Sequence, residues 1–227
     1  MILLVKIPFS TCSLIGNLKN YFESFIPEVS QVSFSRVEQN YRGYFSSEKE
    51  IFVYLQQQID CKDYLEFEVI SSSLGYIDFK LSDCSLVLWL NQLPRYLSQL
   101  TYNCSNQEEI DFFLHYVHAR CHALLRLAKQ EKIIPDNFDL TEVDWTVLDS
   151  IWEKQFFWQL LDLPEYPIDQ KRLLKIARYT LDVERYCRIW EKNHNLSKTR
   201  LLLFLLSSRI LKQSAKVLFQ QDLLTSL

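Results

Sequence analysis

A chain of 227 residues that is 48% hydrophobic holds enough apolar side chain for one large core or two small ones, and three glycines and six prolines argue against disorder or a long flexible linker. The formal charge of −3 is unevenly spread: residues 171–216 hold twelve Lys and Arg against Asp182, Glu184 and Glu191, a local +9, so the remainder carries −12. A basic segment on an acidic protein fits either a polyanion-facing surface or helices with solvated faces and internal ion pairs.

In chain order, Met1 to Phe9 reads as a first strand; it lacks the basic lead and apolar core of a secretory signal. Ser13 to Phe25 reads as a helix and Val29 to Val37 as a strand. Ile51, Phe52, Leu55 and Ile59 give Glu48 to Ile59 an amphipathic helical stripe. Tyr64 to Ile70 alternates, as does Tyr76 to Leu81, which predicts a hairpin turning near Gly75. Asp83 is placed to cap a helix running through Leu97, closing an α+β unit.

Beyond Pro94 the pattern is helical only. Ser105 and Glu108 have capping-box spacing, predicting a long helix to about Lys132 after a polar stretch, Tyr102 to Glu109, where the domain boundary is expected. A loop from Pro135 to Leu140, a helix from about Glu142 to Leu163, a turn at Pro164 to Pro167, and helices from about Asp169 to Lys192 and Ser197 to Phe219 complete an antiparallel bundle. The expected fold class is thus α+β, with a small sheet domain at 1–98 and an all-α bundle at 106–227. The most apolar run, Leu201 to Leu206, is far short of the roughly 20 residues that cross a bilayer, so no membrane span is expected. Six cysteines without a Cys-x-x-Cys pair read as reduced thiols of a cytoplasmic protein.

Catalytic signatures are absent: there is no phosphate loop, no Gly-x-Gly-x-x-Gly, no Gly-x-Ser-x-Gly and no His-Glu-x-x-His. His115, His118 and His122 share one side of the long helix with Cys121 near them. Imidazoles on one face suit zinc, but no carboxylate stands among them. They read as internal hydrogen-bonding groups, and neither metal nor cofactor is expected. Trp145, Trp152, Phe156 and Phe157 recur at helical spacing, as an inward stripe does. Tyr179, Tyr186 and Trp190 are interleaved with Arg178, Arg185 and Arg188, and are candidates either for base stacking or for core. At 100° per residue, Lys171, Lys175, Arg178 and Arg185 fall within an arc of about 80°, a one-sided basic stripe that Asp182 interrupts.

Ile110 to Ala128 resembles the helix that opens the anticodon-binding domain of arginyl-tRNA synthetases, matching its Tyr-x-His-Ala-Arg and Leu-Arg pattern at Tyr116, His118, Ala119, Arg120, Leu125 and Arg126. Arg200 to Leu218 resembles that family's last helix at Arg200, Leu201, Leu203, Ile210, Leu211 and Lys212, and Tyr186 and Cys187 fall where the family has an aromatic-rich helix end. Leu74 to Leu81 is similar to the strand closing the family's N-terminal additional domain, and Gly43 to Ser47 weakly echoes another of its motifs. Tyr44, Glu48, Asp78, Ser214 and Phe219 depart from the family's pattern.

The resemblance implies an additional-domain-like unit joined to a helical (DALR-type) anticodon-binding-like unit. Leu81 and Ile110 stand too close in sequence for the family's nucleotide-binding catalytic domain to lie between them. It therefore implies a non-catalytic protein that binds tRNA or structured RNA. Two alternatives stay open: a protein-interaction module or assembly subunit that kept the scaffold and lost RNA, and an accessory chain to a separate catalytic polypeptide.

Overall fold

A computed structural model of the chain describes residues 3–8, 13–25, 34–37, 40–44, 64–71, 76–103, 109–138 and 145–226. The chain forms two compact units, Met1–Gln92 and Leu93–Leu227. The fold class is α+β, with a sheet unit first and helices after it. The division falls inside a helix, ahead of the polar stretch at 102–109. The predicted helix at 48–59, the Gly75 turn, the Ser105–Glu108 capping box, and the Ser47 end of the 43–47 motif lie outside the described residues.

The first unit holds β1 (Leu3–Pro8), α1 (Leu14–Phe25), β2 (Phe34–Val37), β3 (Asn40–Tyr44), β4 (Tyr64–Ser71), β5 (Tyr76–Leu81) and most of α2 (Asp83–Tyr96). The strands make one antiparallel sheet in the order β1-β4-β5-β3-β2. Strand β3 was not foreseen. Alternation sorts the faces as expected: Leu65, Phe67 and Val69 are buried while Glu66 and Glu68 are half-buried. Ser13 caps α1 by accepting the Gly16 N–H at 2.7 Å. The helix buries Leu14, Leu18, Tyr21 and Phe22, and Phe22 meets Phe79 edge-on at 5.6 Å. Each such buried side chain contributes roughly 1.5–3 kcal/mol. Helix α2 already begins at Asp83, and Ser82 before it accepts the Ser85 N–H at 3.3 Å.

Asp78, where the family's strand has Asn, is nearly buried. Its directly opposite cross-strand neighbour Arg42 grips it bidentately, at 2.6 and 2.8 Å. This fork supplies the partner that a buried carboxylate requires.

The second unit holds α3 (Phe112–Gln130), α4 (Ile151–Leu161), α5 (Gln170–Tyr186) and α6 (His194–Leu218). Helix α3 packs on α5 and α6, and α5 on α4 and α6. Helix α6 is buried almost all round from Arg200 to Leu211, as expected for the central member of a bundle. Helix α3 opens at Phe112, where Asp111 accepts the Phe113 N–H at 2.8 Å. The single helix predicted from Glu142 to Leu163 is instead a 3-10 turn at Trp145–Val147 followed by α4. Ser150 accepts the Trp152 N–H, and the Glu153 carboxylate accepts the Ser150 N–H at 2.9 Å, so this capping box starts a new helix.

Two side-chain-bearing residues among those described are left-handed. Lys132 (φ 57°) follows α3 and Gln220 (φ 54°) follows α6. At Gln220 the chain turns out of α6 into residues 221–226. A left-handed non-glycine residue costs about 1–2 kcal/mol, and glycine gives back part of that relief as unfolded-state entropy. Gln220→Gly is therefore expected to stabilise the protein by about 0.5–1 kcal/mol, read as a higher urea midpoint at unchanged m-value; a lower midpoint would contradict this account of the helix end.

Candidate nucleic-acid interface

Helix α5 begins where Asp169 accepts the Arg172 N–H at 2.8 Å. It buries Leu173, Ile176, Ala177, Thr180 and Val183, which leaves the other side to solvent. Lys171, Lys175, Arg178 and Arg185 are all exposed. Asp182 is half-buried, and no ion pair joins it to Arg178 or Arg185 among the described residues. Arg172 is committed elsewhere: it donates to the Tyr166 carbonyl at 2.8 Å and lies over the Tyr166 ring.

Between α3 and α5 runs an open groove of about 490 Å³, lined by Phe113, Tyr116, Arg120, Arg178, Leu181, Asp182, Glu184 and Arg185. A second recess of about 370 Å³ shares Arg120, Glu184 and Arg185 with it and reaches Tyr186, Arg188 and Trp190. Across this trough Arg120 is held by Glu184 at 2.6 Å, which pins α3 to α5. Tyr116 is exposed on the α3 wall.

Of the three candidate aromatics, Tyr179 is half-buried and Tyr186 and Trp190 are exposed. Tyr186 is already stacked on Trp152, with centroids 4.2 Å apart and planes at 17°, and the Arg185 guanidinium lies 5.5 Å from its ring centre. That leaves Trp190 as the freer ring. Of the four aromatics read as an inward stripe, Trp145, Phe156 and Phe157 are buried, whereas Trp152 is half-buried in its stack with Tyr186.

Trp190 is not on α5, which ends at Tyr186 instead of continuing to Lys192. The connection beyond that end is held by Arg200 on α6. Its Nε donates to Glu153 Oε1 at 2.6 Å, its Nη1 donates to the Arg188 carbonyl, and Nη1 also lies 3.7 Å from Glu191. The Glu191 N–H is taken by Ser197 Oγ at 2.8 Å, and Asn193 caps α6 by accepting from Asn195 and Leu196. Residues 187–193 are thereby drawn out of helical geometry, and Trp190 projects from this connection. Arg200 is buried in a structural knot with the fully buried Glu153. The Cys187 thiol joins it by donating to Ser150 Oγ at 3.3 Å; burial raises the pKa of that thiol.

His118 lies on another face of α3 and is fully buried. Its Nδ1–H donates to the Leu224 carbonyl at 2.7 Å, and the neighbouring His115 Nδ1 accepts the Leu224 N–H at 3.2 Å. Arg126 donates to the Thr225 carbonyl at 2.9 Å. The histidine cluster thus holds the segment after α6. Burial lowers the pKa of His118 below the usual imidazole range, and burial followed by the closeness of His118 lowers that of His122. Burial also raises the Cys121 thiol strongly, which disfavours the thiolate that binds metal. Among the described residues no group of three or more His, Cys, Asp or Glu is arranged to hold a metal ion.

Sequence reasoning missed Glu153, Glu184 and the Leu224 backbone, and read Trp152 as core where it is the stacking partner of Tyr186. For Glu153 a signal was present, because Ser150 and Glu153 have capping-box spacing. Comparison with protein-family models, with curated proteins and with solved structures finds no match for this chain.

The two ion pairs differ in worth. Glu153→Gln keeps the size but takes the nearer carboxylate from the buried Arg200, leaving only Glu191 at 3.7 Å, and is expected to cost about 3 kcal/mol. Glu184→Gln, beside the half-exposed Arg120, is expected to cost less than about 1 kcal/mol. Chemical denaturation of the two variants tests this; equal losses would mean that Glu153 and Arg200 do not hold the bundle together.

Proposed function

We propose that this chain is a non-catalytic binder of tRNA or structured RNA, related in architecture to the two tRNA-touching domains of arginyl-tRNA synthetases, and that α5 carries the contact. The observation behind this reading is the exposed row Lys171, Lys175, Arg178 and Arg185 opposite the buried face of α5. Cations on a rigid helix neutralise phosphates with little ordering cost, and the adjoining trough has Tyr116 and Trp190 exposed on its walls for unpaired bases. Free thiols at Cys84, Cys121 and Cys187 suit a reducing, cytoplasmic setting.

No helix among the described residues is long and apolar enough to cross a membrane. The reading as a protein-interaction module or assembly subunit draws on Phe112, 69% exposed and one helical turn from Tyr116, and on Ile151, 64% exposed. Apolar side chains so placed also suit a protein partner.

Replacing Lys171, Lys175 and Arg178 by Glu is expected to weaken tRNA binding at least tenfold while barely shifting the melting temperature, because exposed charges add little to folding. Wild-type affinity is expected to fall with salt at a log–log slope of about −2 to −4, as for a few neutralised phosphates. Fluorescence anisotropy with labelled tRNA reads both. Binding indifferent to the triple substitution, or none at 50 mM salt, moves the conclusion to the protein-interaction reading.

A further inference from the structure

The segment after α6 is held by its backbone. Leu224 has its N–H accepted by His115 Nδ1 and its C=O bonded by the His118 Nδ1–H, while Arg126 bonds the next carbonyl. Leu223 is buried beside this clamp, and Gln220 directs the chain into it. One imidazole therefore serves as acceptor and its neighbour one turn along as donor, an arrangement that requires His115 to be unprotonated at Nδ1. His118 Nε2 is buried without a hydrogen-bond partner, and the His122 ring stands 4.6 Å away, centre to centre.

We propose that residues 221–226 form a proton-released strap, docked on α3 by neutral imidazoles and freed when they take up protons. Two effects act together. A proton on His115 Nδ1 removes the lone pair that accepts the Leu224 N–H. A proton on His118 Nε2 places a charge where no hydrogen-bond partner stands among the described residues. The charged groups acting on His118 and His122 are Lys212 of α6, Arg126 of α3 and each other with His115, all cationic when protonated, and among the described residues no carboxylate is counted with them. Burial already lowers the proton affinity of His118 and His122, so the docked form is favoured above about pH 6.5, the ordinary imidazole value, and loses stability progressively as pH falls below it. Release exposes Leu223 and the buried His118 ring. The surface left behind then joins protonated His118 and His122 to Arg126 of α3 and Lys212 of α6, which makes it apolar and cationic only in acid.

The test is ¹⁵N relaxation of the full chain at pH 7.5 and 5.5. The order parameters of Leu223, Leu224 and Thr225 are expected to fall from about 0.85 to below about 0.6, while those of α3 and α6 stay at their pH 7.5 values. In the double variant His115→Asn/His118→Asn, the amide groups replace the two Nδ1 positions and do not titrate, so the strap is expected to stay ordered at both pH values. The proposal is overturned if the wild-type strap is equally ordered at pH 5.5, if it loosens only together with α6, or if the double variant releases it on acidification like the wild type. A double variant loose at both pH values still identifies the imidazoles as the clamp, and the wild-type comparison then decides.

Discussion

The helical unit depends on one buried ion pair. Glu153 works at both carboxylate oxygens: one accepts the Ser150 N–H and starts α4, the other takes Arg200 from α6. Arg200 in turn draws the Arg188 carbonyl out of helix and ends α5. Three helices thus have a terminus or a core residue fixed by two side chains. A charge pair this deeply buried gains little over an apolar pair of the same shape, but breaking it is costly. Its effect on the structure is to define where helices stop.

That stopping point shapes the surface. Were α5 to continue to Lys192, Trp190 would follow the helical register; instead it projects from the 187–193 connection into the recess that Arg120, Glu184 and Arg185 also line. The cations of α5 owe their exposure to the opposite face, where Thr180 and Ser207 face each other at 3.1 Å and each also bonds its own helix one turn back. Packing on one side and charge on the other are two consequences of one periodic pattern.

Much of this was legible. The 3.6-residue pattern of α5 gave its basic face, and strict alternation gave β4 and β5. Strand β3 was hidden because five residues, Asn40 to Tyr44, with Arg42 and Gly43 among them, show no apolar alternation; there Tyr41 is buried edge-on to Phe67 and Arg42 meets Asp78 across the strands. The break before α4 was missed although Ser150 and Glu153 carry the same spacing used to start a helix at Ser105. The shared face of His115, His118 and His122 was readable, but their partner was not. The reversal at Gln220 uses no glycine, and a backbone partner leaves no mark in sequence. Arg120 and Arg200, singled out by resemblance as motif residues, both act as helix-to-helix pins, which explains their value to the scaffold independently of any ligand.

The central claim is that RNA lies along the exposed side of α5 and the trough beside it. Ultraviolet cross-linking of the full chain to tRNA, followed by mass spectrometry of the attached peptides, tests it most directly. The account predicts attachment within residues 171–190, at Trp190 above all, and on the α3 wall around Tyr116. Cross-links confined to the sheet unit, or none from peptides that are otherwise detected, would contradict it.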